Sequence, residues 1–339
     1  YMADIPEGSK WLTVIVCATI TIQAVIHVFG VKLADRINSI AVFTEIVGML
    51  GLIIILGVLL IKDGASGEMI TVRGDHITDT SWITTFLMAA LMGAYTLVGF
   101  ESAANLSEET VNAGSTVPKA VIWSVLVSGI VGTVFLLVTT LSIGDLGEVI
   151  DATYALPTII ESRLGSVISN AFFVLVIISI FACGLIIMAS GSRLIYAMAR
   201  DDVFPMSDMF SSVSEKSGAP IPAVVLMLGL GLLAELFSES LEQLLLAAAV
   251  LPALIYLSTI VAYLKQRDSM PLRFGTFTLG RFGKPIGVMA ATWLLFVIGV
   301  LTIPEEFQFT ALVSLLLCLS GLIPYYLWAA GKDNEHGNS

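Results

Sequence analysis

The stretch that decides the fold is Gly93–Lys119, GAYTLVGFESAANLSEETVNAGSTVPK, which begins as apolar membrane sequence and turns polar before it has finished crossing. Glu101 is an ionisable residue inside an otherwise lipid-grade segment, and a carboxylate at that depth costs at least a few kcal/mol unless it faces protein or water. If the chain is helical from Glu101 onward, Glu101, Asn105, Glu108 and Asn112 fall at i, i+4, i+7 and i+11 and form one polar stripe. Such a stripe faces a cavity, not lipid. Gly93 and Gly99 lower helix propensity, and Gly99 stands directly before Phe100 and Glu101. A helix broken there leaves the carbonyls of Thr96, Leu97 and Val98 unpaired at its negative end and starts a second half-helix near Ser102. Broken backbone at membrane depth is tolerated where it lines a cavity, the kind of place where a zwitterionic or cationic solute docks.

The rest of the chain is membrane sequence as well. A hydrophobic share of 57% and a mean hydropathy of +0.94 exceed what a soluble domain carries, and the apolar residues come in runs of about 20, the length that crosses a bilayer. Nine runs are expected: Trp11–Phe29, Ser39–Ile61, Ile83–Ala104, Lys119–Ser142, Val167–Ala197, Ile221–Phe237, Leu241–Leu264, Ile286–Ile303 and Gln308–Ala329. They lack strict alternation, so an all-α polytopic fold is expected and a barrel is not.

Alternate loops collect Lys32, Arg36, Lys119, Arg193, Arg200, Lys216, Lys265, Arg267, Arg273, Arg281, Lys284 and Lys332 on one side, 12 of the 16 basic residues. That side is therefore expected to be cytoplasmic, with the C-terminus inside and Tyr1 outside. The net charge of -11 comes mostly from outward loops and carries no nucleic-acid signal. Cys17, Cys183 and Cys318 fall within spans and read as packed thiols. There is no metal-ligand spacing, phosphate loop or nucleophile–base pair, so neither an enzyme nor a cofactor is expected.

A second intramembrane carboxylate, Glu45, shares a face with Asn38 and Gly48. It either snorkels to the cytoplasmic end or takes a buried, proton-carrying place. His27 reads as a packed or interfacial residue. Ser179, Cys183 and Ser190 form a small-residue stripe suited to helix packing. Arg193 and Arg200 are expected to fix orientation and to pair with Asp201 or Asp202. Pro252 interrupts the seventh run.

The motif GFESAANLSEETVNAGSTVPKAV resembles the sixth-span signature of the amino acid-polyamine-organocation (APC) superfamily of permeases. SGSRLIYAMARDDVFP with APIPAVV resembles that superfamily's eighth span, the loop after it and its ninth span. GVKLADRINSIAVFTEIVGM and FACGLIIMASGSRLIYAMARD look most like its amino acid/choline transporter branch, which includes GABA permeases. The resemblance covers essentially the whole chain. It implies the inverted-repeat fold of the bacterial leucine transporter, with the nine runs as spans four to twelve. Residues 1–61 would then be the end of the first repeat, 83–264 the second repeat with its break near 98–102, 286–329 an appended hairpin suited to a homo-oligomer contact, and 330–339 a cytoplasmic tail. The first three spans of such a protein are expected to precede this sequence.

Carried over by motif, the broken helix falls on Val98, Gly99, Phe100, Glu101 and Ser102, with Thr96 and Leu97 leading into it. Their backbone carbonyls would receive a substrate ammonium. Tyr95 matches an aromatic gate, and Glu101 matches an acidic residue linked to gating or proton coupling. A lysine found in the fifth span of some proton-coupled relatives has no counterpart in Ser39–Ile61, which leaves the coupling ion open between a proton, with Glu45 as a second carrier, and sodium. The resemblance thus implies an amino-acid permease of the plasma membrane, a secondary transporter and symporter. Its alternatives are a permease for choline, polyamines or other organic cations, and a shortened membrane protein that does not transport.

Overall fold

The computed structural model describes residues 10–64, 67–72, 86, 89, 93, 96–237, 241–269, 277–303 and 308–321. Tyr95, the last run beyond Gly321 and the tail lie outside the described residues. Among the described residues the fold is all helix: α1 (Lys10–Phe29), α2 (Val31–Asp63), α3 (Ser102–Asn105), α4 (Ala113–Leu141), α5 (Leu146–Asp151), α6 (Ala155–Leu164), α7 (Ser166–Arg200), α8 (Ser207–Phe210), α9 (Ile221–Phe237), α10 (Leu241–Gln266), α11 (Gly283–Thr302) and α12 (Gln308–Ser320). Among the described residues, six helices are long and apolar enough to span a bilayer, at α1, α2, α4, α7, α10 and α11, and shorter apolar helices lie within α9 and α12. Where they are described, eight of the nine expected runs are helical, the last of them as far as Ser320. In the third run, Ile83–Ala104, Phe86, Ala89, Gly93 and Thr96 are helical, and residues 97–101 are not.

The packing follows the rule for helices in lipid, where no hydrophobic force drives them together and close backbone approach does. Among the described residues, 11 of the 21 buried apolar residues are alanine. Small residues thus make up about half of the apolar contacts between these helices.

The chain divides into two compact units. The first is Tyr1–Asp79, Val125–Ala189 and Val213–Leu232. In it Ala24 of α1, Met188 of α7 and Val224 of α9 form one cluster, while Leu52 and Leu56 of α2 and Ile160 of α6 form another. The acidic stretch 145–164 forms the two helices α5 and α6, and α6 buries Ile159 and Ile160. Apolar residues facing inward from an amphipathic turn tie it down. Arg163 adds a bond to the Ser142 carbonyl at 2.7 Å and reaches Asp63 at 3.4 Å.

Helix α1 meets α7 through polar groups. The Gln23 amide donates to the Phe181 carbonyl at 3.0 Å, and Gly184 leaves the space that the amide fills. His27 is buried, with Nδ1–H donating to the Gln23 carbonyl at 2.8 Å. It belongs to the packed interior of its unit.

The second unit is Thr80–Ser124, Ser190–Ser212 and Leu233–Ser339. Here α10 packs against α11 and α12, with Ala249 and Val250 against Leu301. Gly283 and Gly287 let α11 close onto Tyr263 and Leu264 of α10 and onto Arg267 just after it. Pro252 lies inside α10, which continues through it to Gln266.

Candidate functional site

Thr96 is the last helical residue before an irregular turn over residues 97–101, and α3 begins at Ser102. Gly99 stands at φ +107°, a region side chains rarely adopt, and a Cβ there would meet open space. The glycine is therefore required by backbone conformation and not by crowding. Regular backbone bonding resumes with Ser102 N–H to the Gly99 carbonyl at 3.1 Å and Asn105 N–H to the Glu101 carbonyl at 3.0 Å. No backbone bond from a described residue reaches the Leu97 or Val98 carbonyl.

The Glu101 side chain folds back over this turn. Its Oε2 accepts the Gly99 N–H at 3.1 Å and the hydroxyl of Tyr256 on α10. The Tyr256 ring also packs on Phe100, with centroids 4.9 Å apart and planes tilted by 34°. One carboxylate is thereby tied to the break on one side and to a distant helix on the other.

The continuous stripe expected from Glu101 to Asn112 is not formed. After Asn105 the helix ends, Ser107–Glu109 makes a 3-10 turn, Thr110 is extended and Asn112 is left-handed at φ +54°. Local side-chain bonding supports this exit: Thr110 Oγ1 donates to the Leu106 carbonyl at 3.0 Å, and asparagine tolerates the left-handed region better than most residues. The stripe residues instead find separate partners. Asn105 Nδ2 donates to Ser190 Oγ of α7 at 2.7 Å. Arg200 donates from both Nη atoms to both Glu108 oxygens, each at 2.7 Å, and also reaches Asp201 at 3.3 Å. The hydrogen bond from Arg200 holds the Glu108 carboxyl below the usual carboxylate range. Ser190 is buried, so within this unit it serves a specific contact and not only small-residue packing.

Glu45 lies 14 residues into α2, half-buried, in the other unit. Nearby Gly48 admits Leu175 of α7. Tyr256 is the participant that sequence reasoning missed. Its one signal was a polar-tipped aromatic near the middle of the run Leu241–Leu264.

Apolar helices of bilayer length, close-packed through small residues, with the chain irregular at a glycine beside a carboxylate, define a multi-pass membrane protein. The chain belongs to the amino acid permease family, whose profile matches residues 3–323. It is similar to the amino-acid permease BAT1 of Arabidopsis thaliana, 25% identical over 314 residues that cover 86% of this chain and 59% of that protein. It is also similar to a BAT1 homolog of Oryza sativa, 29% identical over 66% of this chain and 46% of the relative, and to a GABA-specific permease of Saccharomyces cerevisiae, 29% identical over 71% and 43%. The chain spans about half the length of the curated relatives it matches. These are permeases, a class of transporters and not of enzymes.

Proposed function

We propose that this chain carries the second-repeat side of the solute path in an amino-acid permease of the plasma membrane, working by alternating access with proton coupling and with its C-terminus in the cytoplasm. The observation that carries the reading is the Glu101 carboxylate held over the break by Gly99 and Tyr256. The Leu97 and Val98 carbonyls, to which no backbone N–H of a described residue bonds outside the helices, suit a substrate ammonium, and Thr96, Phe100 and Ser102 flank the same turn. A proton arriving at Glu101 removes the charge toward which the Gly99 N–H and the Tyr256 hydroxyl both point. Proton arrival then loosens the bonds that close the break, which links protonation to movement. Glu45 is the second proton site in this scheme. The test is pH-driven amino-acid uptake by the complete protein in proteoliposomes. Glu101→Gln weakens uptake far more than Asp151→Asn, and equal activity of the two variants refutes the role of Glu101.

A second reading has its own support. The paired rings of Phe100 and Tyr256 beside a carboxylate also suit a choline-like or other organic cation, since aromatic faces attract quaternary ammonium groups. Competition between unlabelled choline and a panel of amino acids separates the two. Strong competition by choline alone favours the cation permease.

A further inference from the structure

The segment between the break and α4 is a short piece with an irregular joint at each end. Residues 102–109 comprise one turn of α3 and one 3-10 turn, bounded by Gly99 at φ +107° and by Asn112 at φ +54°. Neither joint continues a helix, so the segment's position depends on what its side chains grip.

Two grips reach α7, ten residues apart along that helix. The inner one is neutral and more buried: Asn105 to Ser190, a residue 6% exposed. The outer one is ionic and wet: Glu108 and Arg200 form a two-pronged pair with side chains 50% and 44% exposed. A forked Arg–carboxylate pair fixes geometry well. When both partners are half in water, however, little desolvation was needed to form it, and little is recovered by keeping it. Such a pair is directional when closed and readily rehydrated when open.

We propose that Glu108–Arg200 is a latch: it holds the segment that follows the break against α7 in this conformation, and it parts once in each transport cycle. Arg200 is then a positioning residue that acts through Glu108. The backbone hinge at Gly99, whose N–H Glu101 accepts, turns when the latch opens. This inference rests on the permease reading above and adds to it which contact must break.

The experiment uses the complete permease in proteoliposomes, with Cys17, Cys183 and Cys318 replaced by serine, and reads amino-acid counterflow. Glu108→Arg and Arg200→Glu, each facing like charge with like, are expected to lower the rate by at least about tenfold, and the double swap to recover most of it. In Glu108→Cys/Arg200→Cys, a reducible bis-methanethiosulfonate linker bridges the longer span that a direct disulfide does not reach. Linked protein is expected to stop counterflow and reduction to restore it. Counterflow that continues in the linked protein overturns the latch, as does a double swap no better than either single variant while all three retain parental thermal stability. A parental protein without counterflow for any amino acid refutes the permease reading itself, a result separable from failure of the latch.

Discussion

The hydroxyl of Tyr256 on α10 donates to the carboxylate of Glu101, 155 positions away in the chain, while the ring of the same tyrosine packs on Phe100. The hydrogen bond and the ring contact are separable by substitution. Tyr256→Phe keeps the packing and removes only the donor. A hydrogen bond to a charged group contributes about 1.5–3 kcal/mol, so initial amino-acid uptake by the complete protein is expected to fall by about tenfold or more. Radiolabelled uptake checks this, and an unchanged rate means that Glu101 works without the bond.

Gly99 allows a test of backbone conformation without crowding. A methyl group at this position meets no atom within 4 Å, so Gly99→Ala probes only the cost of φ +107°. That cost is on the order of 1–3 kcal/mol. Gly51 has equally open space and lies inside α2. Gly51→Ala is therefore expected to be neutral or slightly stabilising, while Gly99→Ala lowers the melting temperature of the detergent-solubilised protein. Equal melting temperatures contradict the argument.

Gly184 and Gly48 both lie where helices approach closely, and they differ in what they face. A methyl group at Gly184 runs into the Gln23 amide, which is buried and committed to the Phe181 carbonyl. At Gly48 it meets Leu175, whose side chain can turn away. Displacing the amide leaves a buried polar group without its partner, a loss of about 1–3 kcal/mol. Gly184→Ala is expected to lower thermal stability clearly more than Gly48→Ala, as read by a thiol-reactive dye or by loss of the monodisperse peak on heating.

The Glu108 carboxyl, held below its usual range by Arg200, gives a pH prediction with a definite sign. A carboxylate depressed in the folded protein contributes stability above its unfolded pKa and loses it as pH falls through the folded value. The folded value lies beneath the ordinary carboxylate range, so Glu108 stays charged, and able to pair with Arg200, across the neutral and mildly acidic range. Any change of transport between about pH 5 and 8 then comes from other groups, and Glu108→Gln is expected to leave the shape of that profile unchanged even where it alters the rate. A profile that shifts in Glu108→Gln contradicts this.

The spans were legible because hydropathy sums over a local window: a run of about 20 apolar residues is a property of neighbours in sequence. The interruption near Gly99 was legible for the same reason, since a glycine, an aromatic residue and a carboxylate in succession cannot all be satisfied by an ordinary lipid-facing helix. The stripe beyond Asn105 was misread because a helical period was carried through Leu106–Asn112, where Thr110 bonds back to Leu106 and Asn112 adopts a left-handed conformation.

The sequence by itself determined that this protein is a bundle of membrane-length helices, which residues of those helices are polar at depth, and where one helix is interrupted. Only the tertiary structure decided the partners: Tyr256 for Glu101, Ser190 for Asn105, Arg200 for Glu108 and Phe181 for Gln23. Periodicity names the face on which a side chain lies but not the distant helix that packs there. That choice is made by the close approach of small residues across the bundle, between positions 85 to 158 apart in the chain.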